Sequence, residues 1–128
     1  VEFSACYLPK NSTFGVNPTI FCPNEDDIWW LLAYLNSDLV KYFIRGILIR
    51  TNMVTSGYVS RVPVLPFEDH DKIMLKKYAK KAYEKAKNNE SISTEINQIN
   101  ELVFKNSKLD KNDIFEITDF CKDIIRRT

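Results

Sequence analysis

Glycine is scarce in this 128-residue chain, with only Gly15, Gly46 and Gly57. So few glycines argue against a glycine-rich cofactor loop. Neither a P-loop, a dinucleotide fingerprint nor a nucleophile elbow occurs. Histidine is scarcer still, and His70 stands alone between Asp69 and Asp71. Cys6, Cys22 and Cys121 are odd in number, far apart, and form no C-x-x-C pair. A tetrahedral zinc site needs about four such ligands, so no metal is expected. Reduced, packed thiols in a cytoplasmic protein are the expectation. The longest apolar run, Ile28 to Leu35, is too short to cross a bilayer, and Asp38, Lys41 and Arg45 interrupt its continuation. No membrane partner is expected. No signal-peptide pattern opens the chain, which starts at Val1 and is read as a piece of a longer protein.

What is present is globular in kind. Hydrophobic residues make up 45% and charged residues 27%, values that predict a folded domain, alone or with a helical appendage. The net charge of +1 conceals a segregation. Residues 25–38 hold Glu25, Asp26, Asp27 and Asp38 and no base. Residues 39–67 hold Lys41, Arg45, Arg50 and Arg61 and no acid. Such separation suggests one positive surface region, although four bases in that span are also ordinary scatter.

Residues 1–23 alternate like strands, with Phe3, Ala5 and Tyr7 against Ser4 and Cys6, and with turns at Pro9, Asn11, Ser12, Asn17 and Pro18. Asn24 is a helix N-cap followed by three acids, which suit the positive end of the helix dipole. Ile28, Leu31, Leu32 and Leu35 then form an apolar stripe. Asn36-Ser37 breaks it, and Ser37 caps a second helix bearing Leu39, Val40, Phe43 and Ile47 on one face. Residues 50–57 read as a polar loop. Tyr58 to Val62 reads as a strand that Pro63 and Pro66 confine to an edge. After Phe67 the composition turns lysine-rich. An amphipathic helix carries Leu75, Tyr78, Ala79, Ala82 and Ala86, a second carries Ile92, Ile96, Ile99 and Val103, and Asp110 opens a last helix with a capping box.

Catalytic groupings are hard to assemble. His70 with Asp69 and Asp71 sits at a loop-to-helix junction, where a solvated turn histidine is the plain reading and a small active site its rival. Trp29, Trp30, Tyr34, Tyr42 and Phe43 lie on helices, where aromatics belong to the core. Tyr58 beside Arg61 is the better candidate for base stacking or a phosphate. Lys76, Lys77, Lys80, Lys81, Lys85 and Lys87 read as a solvated helix face, or as one turned to phosphates. Asn17-Pro18-Thr19 is not the Asn-Pro-Pro-aromatic motif of adenine methyltransferases.

The run "LLAYLNSDLVKYFIR…SGYVSRVPVLPF" resembles the C-terminal target-recognition (specificity) region of adenine-specific DNA methyltransferases of the TaqI type. Fused type IIG restriction–modification enzymes carry the same region. Its marks are an apolar run ending Leu-Asn-Ser, a short aromatic helix, a variable polar stretch and a strand ending near Leu-Pro. Here these are Leu31–Ser37, Leu39–Ile44, Arg50–Gly57 and Tyr58–Pro66. "TFGVNPTIFCP" stands where a strand pair precedes that helix, and "INQINELVFKNSKLDKNDIFEI" resembles the common ending. Asn106-Ser107-Lys108 departs from the usual aromatic-glycine pair, and Gly46 to Ile49 is greasier than the pattern.

The resemblance implies an α+β fold, with a small mixed β-sheet on the Leu-Asn-Ser helix pair and about three C-terminal helices. It divides the chain into a recognition core, 1–67, and a helical segment, 68–128. It implies a non-catalytic module that reads double-stranded DNA in sequence-specific fashion for an N-terminal methyltransferase domain of the same chain. That parent would use S-adenosylmethionine, and magnesium where a nuclease is fused; the module itself would hold no cofactor. Chemistry picks the contact residues: Lys41, Arg45, Arg50 and Arg61 for phosphates or guanine edges, Asn52, Thr55 and Ser56 for base edges, and Tyr58 for stacking. The rival is a helical docking module without DNA contact.

Overall fold

The structure, a computed structural model, describes residues 2–13, 15, 18–48 and 53–126. Arg50 and Asn52 lie outside the described residues, as does Asn17. Among the described residues six helices form: α1 (Glu25–Leu35), α2 (Asp38–Tyr42), α3 (Ser56–Val59), α4 (Asp69–Lys87), α5 (Ser93–Ser107) and α6 (Lys111–Arg126). A π-helical turn, Phe43–Leu48, prolongs α2.

The caps are those expected from sequence. Asn24 accepts from the Asp26 amide at 3.1 Å. Ser37 Oγ accepts from Val40 N and donates to Tyr34 O at 2.7 Å. Asp110 accepts from Asp113 N at 2.8 Å. Each satisfies a backbone group that a helix end leaves unpaired. At the end of α5 Lys108 takes the left-handed conformation, φ 57°, where glycine is usual. Gly46 is needed for close approach: a Cβ there would stand 3.0 Å from the Tyr42 ring, which packs edge-on against Phe120 of α6.

The α+β expectation is wrong: among the described residues the protein is all-helical and has no strand. The physical reason lies in where the backbone hydrogen bonds go. Residues 2–8 are extended, but the Ala5 amide and carbonyl bond to the Asn36 side chain rather than to a neighbouring strand. Residues 58–62 alternate in polarity, yet Arg61 N donates to Tyr58 O and Val62 N to Val59 O, which winds them into a helical turn. Tyr58 and Val59, half-buried, and Val62, buried, share the inner side at a helical spacing. The stretch after Pro63 also pairs with no strand: the Tyr34 hydroxyl donates to Pro63 O at 2.6 Å, and Phe67 N turns back to Leu65 O at 2.9 Å.

One core serves both halves of the chain. Tyr34, Leu39, Val40, Ile44 and Phe67 share it with Leu75, Ala79, Ile99, Val103 and Ile117. α1 packs chiefly on α4, α4 on α5, and α6 on α2. The Phe67 ring meets Tyr34 and Trp30 edge-on at 5.4 and 6.2 Å. Tyr34→Phe is expected to cost about 1 kcal/mol, the net worth of one hydrogen bond, with packing kept. A urea titration checks it.

Candidate nucleic-acid interface

The carboxylate-free stretch divides into two places. Thr55, Ser56, Tyr58 and Arg61 come together on one short element, α3 and the turn behind it. Thr55, Ser56 and Arg61 are exposed, and half-buried Tyr58 packs against the core. Thr55 precedes α3 without making a side-chain capping bond. The element is anchored from below by Val62 and by Val59, and Ser60 Oγ donates to Gly57 O at 2.9 Å. A turn that presents two hydroxyls and a guanidinium can serve phosphate oxygens and base edges.

Lys41 and Arg45 sit elsewhere, on α2 and the π-helical turn. Lys41 is ion-paired with Glu2 and its side chain is only 13% exposed. Its charge is met by the protein's own carboxylate. Arg45 is half-buried and lines a trough of about 880 Å³. The trough is lined by residues of the N-terminal segment, by Ile28, Leu31, Leu32 and Leu35 of α1, and by Met53, Val54 and Val59 in and before α3. The predicted apolar stripe of α1 therefore faces this trough. The opposite side of α1, with Ala33 and Tyr34, is buried.

The lysine face of α4 is engaged within the molecule. Lys72 and Lys80 lie over the Trp30 and Trp29 rings at 4.9 and 5.7 Å. Lys76 pairs with Asp26. Lys87 pairs with Glu84 at 3.0 Å and lies over Tyr83. Lys85 and Lys81 approach Glu95 at 2.7 and 3.8 Å. Lys77 is exposed. These contacts give most of the row a structural use: it fastens α4 to α1 and α5.

Glu95 was not singled out in the sequence, yet it is buried on α5. The Lys85 ammonium, 2.7 Å away, holds its carboxyl below its ordinary value, against the opposing effect of burial. Its signal was legible: a carboxylate among Ile92, Ile96 and Ile99 stands on an apolar helix face. At the α2–α5–α6 junction, the Asp38 amide donates to Asn100 Oδ1 at 2.8 Å, and the Cys121 thiol donates to Asp38 O at 3.4 Å. Burial pushes the Asp38 carboxyl above its ordinary value.

Of the rival catalytic grouping, Asp69 and His70 are exposed and Asp71 is half-buried in the first turn of α4, and none of the three lines the trough or a further cavity of about 400 Å³ between α1, α4 and α5. Among the described residues no three His, Cys, Asp or Glu side chains are grouped to hold a metal ion, and no helix is long and apolar enough to cross a membrane. Compared with protein-family models, with curated proteins and with solved structures, the chain has no match.

Proposed function

We propose that this chain is a double-stranded DNA recognition module, non-catalytic itself, serving an adenine-specific methyltransferase of the restriction–modification kind. The carrying observation is the α3 element: Thr55, Ser56 and Arg61 exposed together, within a stretch from 39 to 67 that holds no carboxylate. The ordered run from Leu-Asn-Ser to Leu-Pro supports the same reading. Methylation of an adenine inside a duplex requires the base to be flipped out, so a separate module must grip and register the duplex. In this reading Arg61 meets phosphate, Thr55 and Ser56 meet base edges, and Tyr58 props the turn. Arg45 borders the same region from the trough, and Arg50 and Asn52 belong to the same loop in sequence. The parent enzyme's methyl donor would be S-adenosylmethionine, bound outside this chain.

A salt-titrated anisotropy measurement on labelled duplex DNA tests the proposal. Affinity is expected to fall steeply with salt, by about 0.9 in logarithmic slope per phosphate contacted. Arg61→Ala is expected to reduce that slope by about one contact, with the fold intact by circular dichroism. A slope unchanged by Arg61→Ala removes that residue from the interface. A second reading, a helical docking module, is favoured by Ile73 on α4 and Phe115 on α6, which are 63% and 70% exposed. No binding at low salt, or binding indifferent to salt, would leave that reading standing and sink the first.

A further inference from the structure

We infer that Asn36 is a positioning residue that holds the N-terminal arm, residues 2–8, in the place a neighbouring strand would otherwise hold it. Both ends of its amide are used. Oδ1 accepts from Ala5 N at 3.0 Å, and Nδ2 donates to Ala5 O at 3.0 Å and to Leu32 O at 2.9 Å. Ala5 thus has both backbone groups bonded as a strand residue would, but to one side chain. The third bond ties that clamp to the last turn of α1.

Position follows from the clamp. Ala5, Cys6 and Tyr7, with Leu32 of α1, border both the trough and the smaller cavity against α4 and α5, so the arm lies between them together with α1. On either side of Ala5 the arm is held by side chains: Phe3 is buried, Glu2 pairs with Lys41, and Tyr7 stacks on Trp29 at 4.8 Å. The trough is lined both by the arm and by Val54, just before α3, and Val59, in it. Asn36 therefore sets the placement of the arm relative to the α3 element. This accounts for the middle residue of Leu-Asn-Ser, which the recognition chemistry leaves without a task. Asn36 touches no ligand in this account and acts through the arm. Its effect on DNA rests on the function proposed above; its effect on the arm does not.

Asn36→Asp keeps the size and removes both donors, setting carboxylate oxygen against the carbonyls of Ala5 and Leu32. Ala5→Pro removes the arm's own donor and leaves α1 untouched. Both variants are expected to shift the Trp29 indole resonance as Tyr7 leaves its ring. Asn36→Asp is expected to speed amide exchange at Ala5 and Tyr7 by about tenfold or more, with helical content unchanged. Duplex affinity in the same variant is expected to fall about tenfold while its salt slope stays constant, because no phosphate contact has been removed. A general loss of folding would instead lower the helical signal. Should Asn36→Asp unfold the helices, Ala5→Pro decides alone. A Trp29 resonance left in place by Ala5→Pro, or arm exchange unaltered in a folded Asn36→Asp, overturns the inference. Wild-type protein that ignores DNA refutes the recognition reading, while the arm measurements still judge Asn36.

Discussion

Leu75→Ala is expected to lower the stability of the domain by about 2–5 kcal/mol, the range for deleting a fully buried leucine side chain and leaving a cavity. Leu75 has no exposed surface and lies on α4, the helix that packs on both α1 and α5. It belongs to the shared core with Tyr34, Phe67, Ile99 and Val103, so its loss loosens both halves of the chain together. Ile73, two residues earlier on the same helix, is 63% exposed and supplies the control. Ile73→Ala should stay within about 0.5 kcal/mol, as surface substitutions do. Urea midpoints of the two variants, with matched slopes, make the comparison. Equal midpoints would mean that α4 does not bury the face described here.

Raising the pH above about 9 is expected to destabilise the protein progressively, through Cys121 and Tyr34. Burial pushes the Cys121 thiol from 9.0 to about 12, with Asp38 adding to the rise and Lys41 opposing it. Burial likewise pushes the Tyr34 phenol from 10.0 to about 12, partly offset by a backbone hydrogen bond. Both groups are neutral in the native state at a pH where the unfolded chain already ionises. The stability they contribute is whole below the unfolded values and is lost as the pH climbs through the folded ones. Urea midpoints at pH 8 and pH 10.5 should therefore differ, and Tyr34→Phe with Cys121→Ala should flatten the difference. A double variant with the same alkaline loss would assign it to other groups.

Thiol labelling gives the same burial a second measure. The raised value leaves Cys121 with far less thiolate than an ordinary cysteine near neutral pH. Iodoacetamide at pH 8 should modify exposed Cys6 first and reach Cys121 only as the chain opens. Peptide mapping against time separates the two. Equal rates would show that α6 does not hold Cys121 against α2.

Helices α1, α2, α4, α5 and α6 were legible because their signals are local, whereas α3 was read as a loop running into a strand. Asn24, Ser37 and Asp110 cap where the spacing says they should, and Ile99 and Val103 turn inward on the periodicity that marked them. The strands were misread because alternation states only which residues could line a face. A strand also needs a partner for its backbone, and Ala5 finds Asn36 while Arg61 and Val62 turn back on Tyr58 and Val59.

The site shows the same division. The absence of carboxylates between residues 39 and 67 is a property of the sequence alone, and so is the clustering of Thr55, Ser56, Tyr58 and Arg61. That Lys41 is taken by Glu2, and most of the α4 lysines by tryptophan rings and by Asp26, Glu84 and Glu95, was decided only by packing. A charge in a sequence carries no address. Whether it faces solvent or a partner depends on which distant acid or ring the fold brings within a few ångströms, and that distance exists only once α1, α4 and α5 have closed on their common core.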